Sequence, residues 1–65
     1  MSLEDLTKSQ RRVFHHLMEG KNSKEIASDL HRAVQTVDAH VKIILAKFHC
    51  RTRARLIVRH YRGQL

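Results

Sequence analysis

The side chains of this sequence with the most chemical capability are six histidines, one cysteine and thirteen lysines and arginines. Imidazole and thiolate are the ligands of structural zinc, which takes them in closely spaced pairs. His15-His16, His31, His40, His49-Cys50 and His60 lack that paired Cys/His spacing, so no metal site is expected. No Gly-rich phosphate loop, nucleophile elbow or paired-carboxylate constellation occurs either, which excludes a recognisable catalytic centre and implies no cofactor. Charge is the chemistry that remains. Thirteen basic residues against six acidic ones leave +7 and a pI near 10.6, a balance suited to a polyanionic partner. The charge is also uneven: from Ala39 onward there is no Asp or Glu, while Lys42, Lys47, Arg51, Arg53, Arg55, Arg59 and Arg62 accumulate. Taken singly, each of these cations can equally be a solvated surface charge.

Size bounds what can position these groups. A chain of 65 residues forms one domain, 1–65, whose core leaves a few kcal/mol of net stability and no deep substrate cavity. Cores this small are commonly supplemented by a partner, a longer chain, a metal or disulfides, and Cys50 as the sole cysteine excludes the last. One cysteine and no apolar signal segment fit a reducing, cytoplasmic setting. The longest apolar run, Ile43 to Ala46, is far below the roughly 18 residues of a membrane span, so no membrane partner is expected.

Proline is absent and glycine occurs only at Gly20 and Gly63, which favours helices throughout. Thr7-x-x-Gln10 reads as a capping box ahead of Val13, Phe14, Leu17 and Met18, with Gly20 as the stop, and predicts a helix over about 7–19. A second box, Asn22-x-x-Glu25, opens a short helix over 23–30 with Ile26, Ala27 and Leu30 on one face. Val34, Val37, Val41, Ile44, Leu45 and Phe48 recur at three and four residue intervals and predict the longest helix, 34–48. Thr52 is the N-cap expected for a fourth helix over 53–61. On that helix Ala54, Val58 and Tyr61 share one apolar sector, while Leu56 and His60 share another with Ile57 between them. Two sectors suit a core on one side and a second subunit on the other; a single wide buried face would give the same pattern.

The expected fold is therefore all-α, with the helix order of a helix-turn-helix DNA reader and the third helix as recognition helix. On a wheel, Gln35, Asp38, Ala39 and Lys42 fall within about a third of a turn, away from the apolar stripe, and form the candidate base-reading surface. Gln can pair with adenine and Ala can meet a thymine methyl. Beside them Thr36, His40, Ile43 and Lys47 run along one flank, where three of the four can donate to phosphate. Lys24, at the start of the second helix, joins them, since that end favours anions.

Leu6-Thr7, Gly20, Lys24-Glu25-Ile26-Ala27, Leu30, Thr36-Val37, His40, Lys47 and Arg53, at these spacings, resemble the LuxR-type (GerE-type) helix-turn-helix of bacterial transcription regulators, including NarL/FixJ-like response regulators. The resemblance covers about Leu6 to Tyr61. It implies a four-helix domain that binds double-stranded DNA, a fourth helix that mediates homodimerisation through Ala54, Val58 and Tyr61, and a receiver or sensor domain preceding this segment in the intact protein. Four positions depart from the family pattern. Arg32 stands where an apolar residue is usual, Ala33 where a small cap such as Ser is usual, Asp38 where Lys or another polar residue is usual, and Ile43 where a polar or basic residue is usual. Asp38 would oppose the phosphate field of DNA, yet a carboxylate can also accept from cytosine N4. Ile43 reads as a stray surface residue or as a packing contact. Two functions follow: sequence-specific DNA binding in transcription regulation, or a protein-interaction module of the same fold, with weakened DNA binding, that pairs with another regulator.

Overall fold

All four expected helices form, and three of them, the first, second and fourth, start at a side-chain cap. The computed structural model describes residues 5–65, so the first four residues of the expected 1–65 domain lie outside the described ones. Helices α1 (Lys8–Met18), α2 (Ser23–Leu30), α3 (Val34–Lys47) and α4 (Arg53–Tyr61) follow in order, with no strand among the described residues. Thr7, Glu19 and Phe48, expected as helix ends, are caps just outside α1 and α3. Both capping boxes close. Thr7 Oγ1 accepts from Gln10 N at 3.2 Å while Gln10 Oε1 accepts from Thr7 N at 3.0 Å, and Asn22 and Glu25 repeat the exchange at 2.9 and 3.0 Å. Thr52 Oγ1 caps α4 by accepting from Arg55 N at 3.2 Å. Ala33, with no side-chain oxygen, leaves the start of α3 uncapped.

The four helices end alike. A residue just past each helix turns left-handed, at Gly20 (φ 85°), His31 (54°), His49 (55°) and Gly63 (70°). The next N–H then reaches back five residues: Lys21 to His16 O, Arg32 to Ala27 O, Cys50 to Leu45 O and Gln64 to Arg59 O. This is the Schellman closure, which satisfies last-turn carbonyls that would otherwise lack partners. Glycine makes that turn without steric cost; histidine does not.

α1 touches each of the other helices and α2 packs on α3. The fully enclosed side chains Phe14 and Leu17 of α1, Ile26 of α2, Val37 and Ile44 of α3, and Leu56 of α4 show that every helix commits one face to one core. Val34 departs from the expected stripe. It is 37% exposed, because at the first turn of α3 the helix has not yet reached the core, and Leu45 is half-buried at the stripe's edge. Outside the core, Lys21 Nζ donates to Asp29 Oδ2 at 2.7 Å and ties the α1–α2 turn to α2. That hydrogen bond, with the pair's attraction, raises the Lys21 pKa above 10.5 and lowers that of Asp29 below 3.8. The contact is thus fully present between those ordinary values. It is lost as pH falls through the depressed Asp29 value or climbs through the raised Lys21 value. Asp29 is exposed and Lys21 only partly buried, so solvent screens the pair and its worth is small.

Two helix-end substitutions are expected to stabilise the fold. His49→Gly relieves the left-handed strain and Ala33→Ser restores an N-cap hydroxyl, each by about 1 kcal/mol. Thermal melts should rise by about 4–8 °C for each variant. A fall for His49→Gly would mean that its side chain carries a contact outweighing the backbone strain.

Candidate nucleic-acid interface

Because Val37, Val41, Ile44 and Phe48 turn one side of α3 into the core, the opposite side must face outward. Gln35, Ala39 and Lys42 are exposed there, with Ala46 and a 41% exposed Ile43 continuing the surface toward the C-terminal end. Asp38 is placed differently. Its Oδ1 accepts from Ser23 Oγ at 2.5 Å and lies 3.4 Å from Arg53 Nη2, which also donates to Ser23 Oγ. The carboxylate is turned toward the starts of α2 and α4, leaving Gln35, Ala39 and Lys42 as the outward set. Ser23 and Arg53 were not among the expected site residues. They lie 15 positions from Asp38 on either side, and no local pattern links such separations.

The flank divides. Thr36 and His40, one turn apart, face a crevice against α1, whereas Lys47 is about 16 Å farther along the helix axis from Thr36. Lys47 Nζ donates to the Asp5 carbonyl at 2.8 Å and to Gln10 Oε1 at 3.0 Å, so it braces the C-terminal end of α3 against the capping box of α1. Its third N–H remains for another acceptor. Lys24, second residue of α2, is exposed. Ile43 is an exposed apolar residue and not a core packing contact, and it sits beside exposed Ala39 and Ala46.

α4 resolves its two sectors. Leu56 is enclosed and Ile57 packs on the core, while Ala54 is exposed, Val58 is 46% exposed and Tyr61 is 72% exposed. The single wide buried face is therefore not what forms. Tyr61 keeps its hydroxyl on the fold, donating to the Met18 carbonyl at 3.0 Å. On the same helix Arg59 Nη1 donates to the Phe48 carbonyl at 2.7 Å, tying α4 to the end of α3.

The histidines take separate places. His31 and His49 make the left-handed helix ends, His15 and His60 stand edge-on to Phe14, His16 lies 3.1 Å from Lys21 Nζ, and His40 lines the crevice. Among the described residues no three potential ligands gather into a metal site. No described helix is long and apolar enough to cross a membrane.

Residues 4–60 match the family described as bacterial regulatory proteins, luxR family. The chain is also 38% identical over 53 residues to the spore germination protein GerE of Bacillus subtilis (strain 168), an alignment covering 82% of this chain and 72% of that protein. No solved structure matches the chain significantly.

The Asp38–Ser23–Arg53 contact generates a stability prediction. Asp38→Ala and Ser23→Ala should each destabilise, and the double variant should lose about 1 kcal/mol less than the sum. Urea denaturation of the four proteins measures this; losses that add within about 0.3 kcal/mol would mean the two side chains act independently.

Proposed function

The chain belongs to the luxR family of bacterial regulatory proteins, and from that premise we propose that it is a sequence-specific reader of double-stranded DNA in transcription regulation, with α3 lying in the major groove. The observation that carries this reading is the outward face of α3, where Gln35, Ala39 and Lys42 stand exposed on a domain of net charge +7. A helix of this kind reads bases with three or four side chains of its exposed face. Gln35 suits adenine, Ala39 a thymine methyl, and Lys42 the O6 and N7 acceptors of guanine. Lys24, Thr36, His40 and Lys47 supply donors for the backbone, which set register but carry no sequence information.

Asp38 belongs to this surface conditionally. While paired with Ser23 and Arg53 it withholds its carboxylate from the phosphate field; released, it can accept from cytosine N4. The exposed Ala54, Val58 and Tyr61 sector of α4 supports a homodimer, and two α3 helices would then read two half-sites. The alternative, an interaction module that pairs with another regulator, draws on exposed Ile43 between Ala39 and Ala46, an apolar strip on the would-be reading face.

Binding to random duplex DNA should weaken steeply with salt, with a log–log slope of about 0.9 for each phosphate contact. Lys42→Ala should lower both specific and generic affinity. Asp38→Lys should raise generic affinity and steepen the slope, at some loss of stability from the new charge beside Arg53. Mobility-shift titrations at two salt concentrations test all three. A folded sample that fails to bind at low salt would favour the interaction module.

For the dimer, sedimentation equilibrium should detect self-association that Val58→Asp abolishes. A strict monomer at high concentration, with DNA binding untouched by Val58→Asp, would remove α4 from the site.

A further inference from the structure

Where the N-terminal half of α3 meets α1 and the end of α2, a crevice opens with features that the reading face of α3 does not account for. Val13, Leu30 and Val37 form its floor, and Arg12, Arg32, Thr36, His40 and Ser9 line the rest. His40 also carries a buried Nδ1 atom without a hydrogen-bond partner. Buried polar atoms are almost always paired, so an orphan in a native fold calls for an explanation, such as a group that arrives from outside.

From these observations we propose that the crevice is a seat for one phosphate oxyanion. Two arginines line it from separate segments, Arg12 from α1 and Arg32 from the α2–α3 connection, and each carries a guanidinium on a long, flexible side chain. Neither forms an ion pair among the described residues. Guanidinium carries N–H donors in a fork that matches phosphate oxygens, and two of them exclude a metal cation. Ser9 of α1 and Thr36 and His40 of α3 share the lining, and their hydroxyl and imidazole groups are able to donate as well. Donors approaching from three chain segments suit a tetrahedral anion better than a planar carboxylate. The interior volume, about 30 Å³, admits one or two water-sized atoms. It therefore takes oxygens of the anion and leaves the rest of the group at the mouth. The apolar floor lowers the local dielectric and strengthens each charge-assisted bond.

A phosphate can come from a duplex backbone or from solution. The first source rests on the DNA-reading proposal, because Thr36 and His40 flank the face assigned to the groove; the second does not. Inorganic phosphate, titrated against chloride at constant ionic strength into the intact chain, should give saturable NMR shifts at Ser9, Thr36 and the His40 ring. Arg12→Gln and Arg32→Gln should weaken that response by about tenfold or more. Arg32→Lys should retain part of it, and Arg62→Gln, at the C-cap of α4, should not alter it. In parallel, random duplex DNA is titrated across salt concentrations, where Arg32→Gln should cut the log–log slope by about 0.9 and Arg62→Gln should not.

Both responses together mean a seat that the duplex occupies. A saturable phosphate response with an unchanged duplex slope means that the ligand is free phosphate. A reduced slope without a phosphate response means that the seat accepts backbone phosphate alone. If the wild-type chain binds no duplex yet saturates with phosphate, the DNA reading fails and the seat stands. The seat is overturned if neither response depends on Arg12 or Arg32 in variants whose amide spectra remain native, and duplex binding by those variants would leave the DNA reading intact.

Discussion

Enclosure of Phe14 is the interaction on which the rest of this domain depends. Its ring lies in the middle of α1, fully buried, with the Phe48 ring 5.8 Å away and the His60 ring edge-on at 5.5 Å. Through it α1 is held against the end of α3 and against α4. A domain of 65 residues without a disulfide has one core to build on, and each helix must give it one face. The orientation of α3 follows: once Val37, Val41 and Ile44 are committed inward, Gln35, Ala39 and Lys42 have nowhere to point but outward. The reading face is in this sense a by-product of core packing.

Polar struts then set the angles that packing leaves loose. Lys47 joins the end of α3 to the α1 capping box, Arg59 joins α4 to the Phe48 carbonyl, Tyr61 joins α4 to the Met18 carbonyl, and Arg53 with Asp38 and Ser23 joins α4, α3 and α2. Several of these use charges that a simple count would assign to a nucleic-acid partner. Net charge is thus a poor guide to which cations face outward: Arg53 and Arg59 are spent within the fold, whereas Arg12 and Arg32 line an open crevice. Such struts are individually modest, because they remain partly solvated. Their effect is directional, since a hydrogen bond specifies geometry in a way that apolar contact does not.

Helix boundaries, core faces and the start of each helix were legible in the residues themselves. Capping boxes act over three residues and apolar stripes over three or four, so short-range rules suffice for them. Those rules did not foresee that His31 and His49 would take the left-handed turns usually given to glycine, a choice made when the following segment must double back to pack. Nor did they separate Val34 from the core stripe: periodicity shows which side of a helix a residue occupies, not whether the core extends that far along it.

What the sequence alone determined, then, is the all-α fold, the four helices and which face of α3 turns outward, because these depend on interactions between near neighbours. Tertiary structure alone decided that Asp38 turns to Ser23 and Arg53, that Lys47 braces α1, that Val58 and Tyr61 stay exposed while Leu56 is enclosed, and that Arg12, Arg32 and His40 share one crevice. These pairings mostly join residues 15 or more positions apart, or depend on which side of a helix its neighbours cover. They are set by where the helices cross, and a crossing is fixed by the shape of the whole core rather than by any stretch of residues within it.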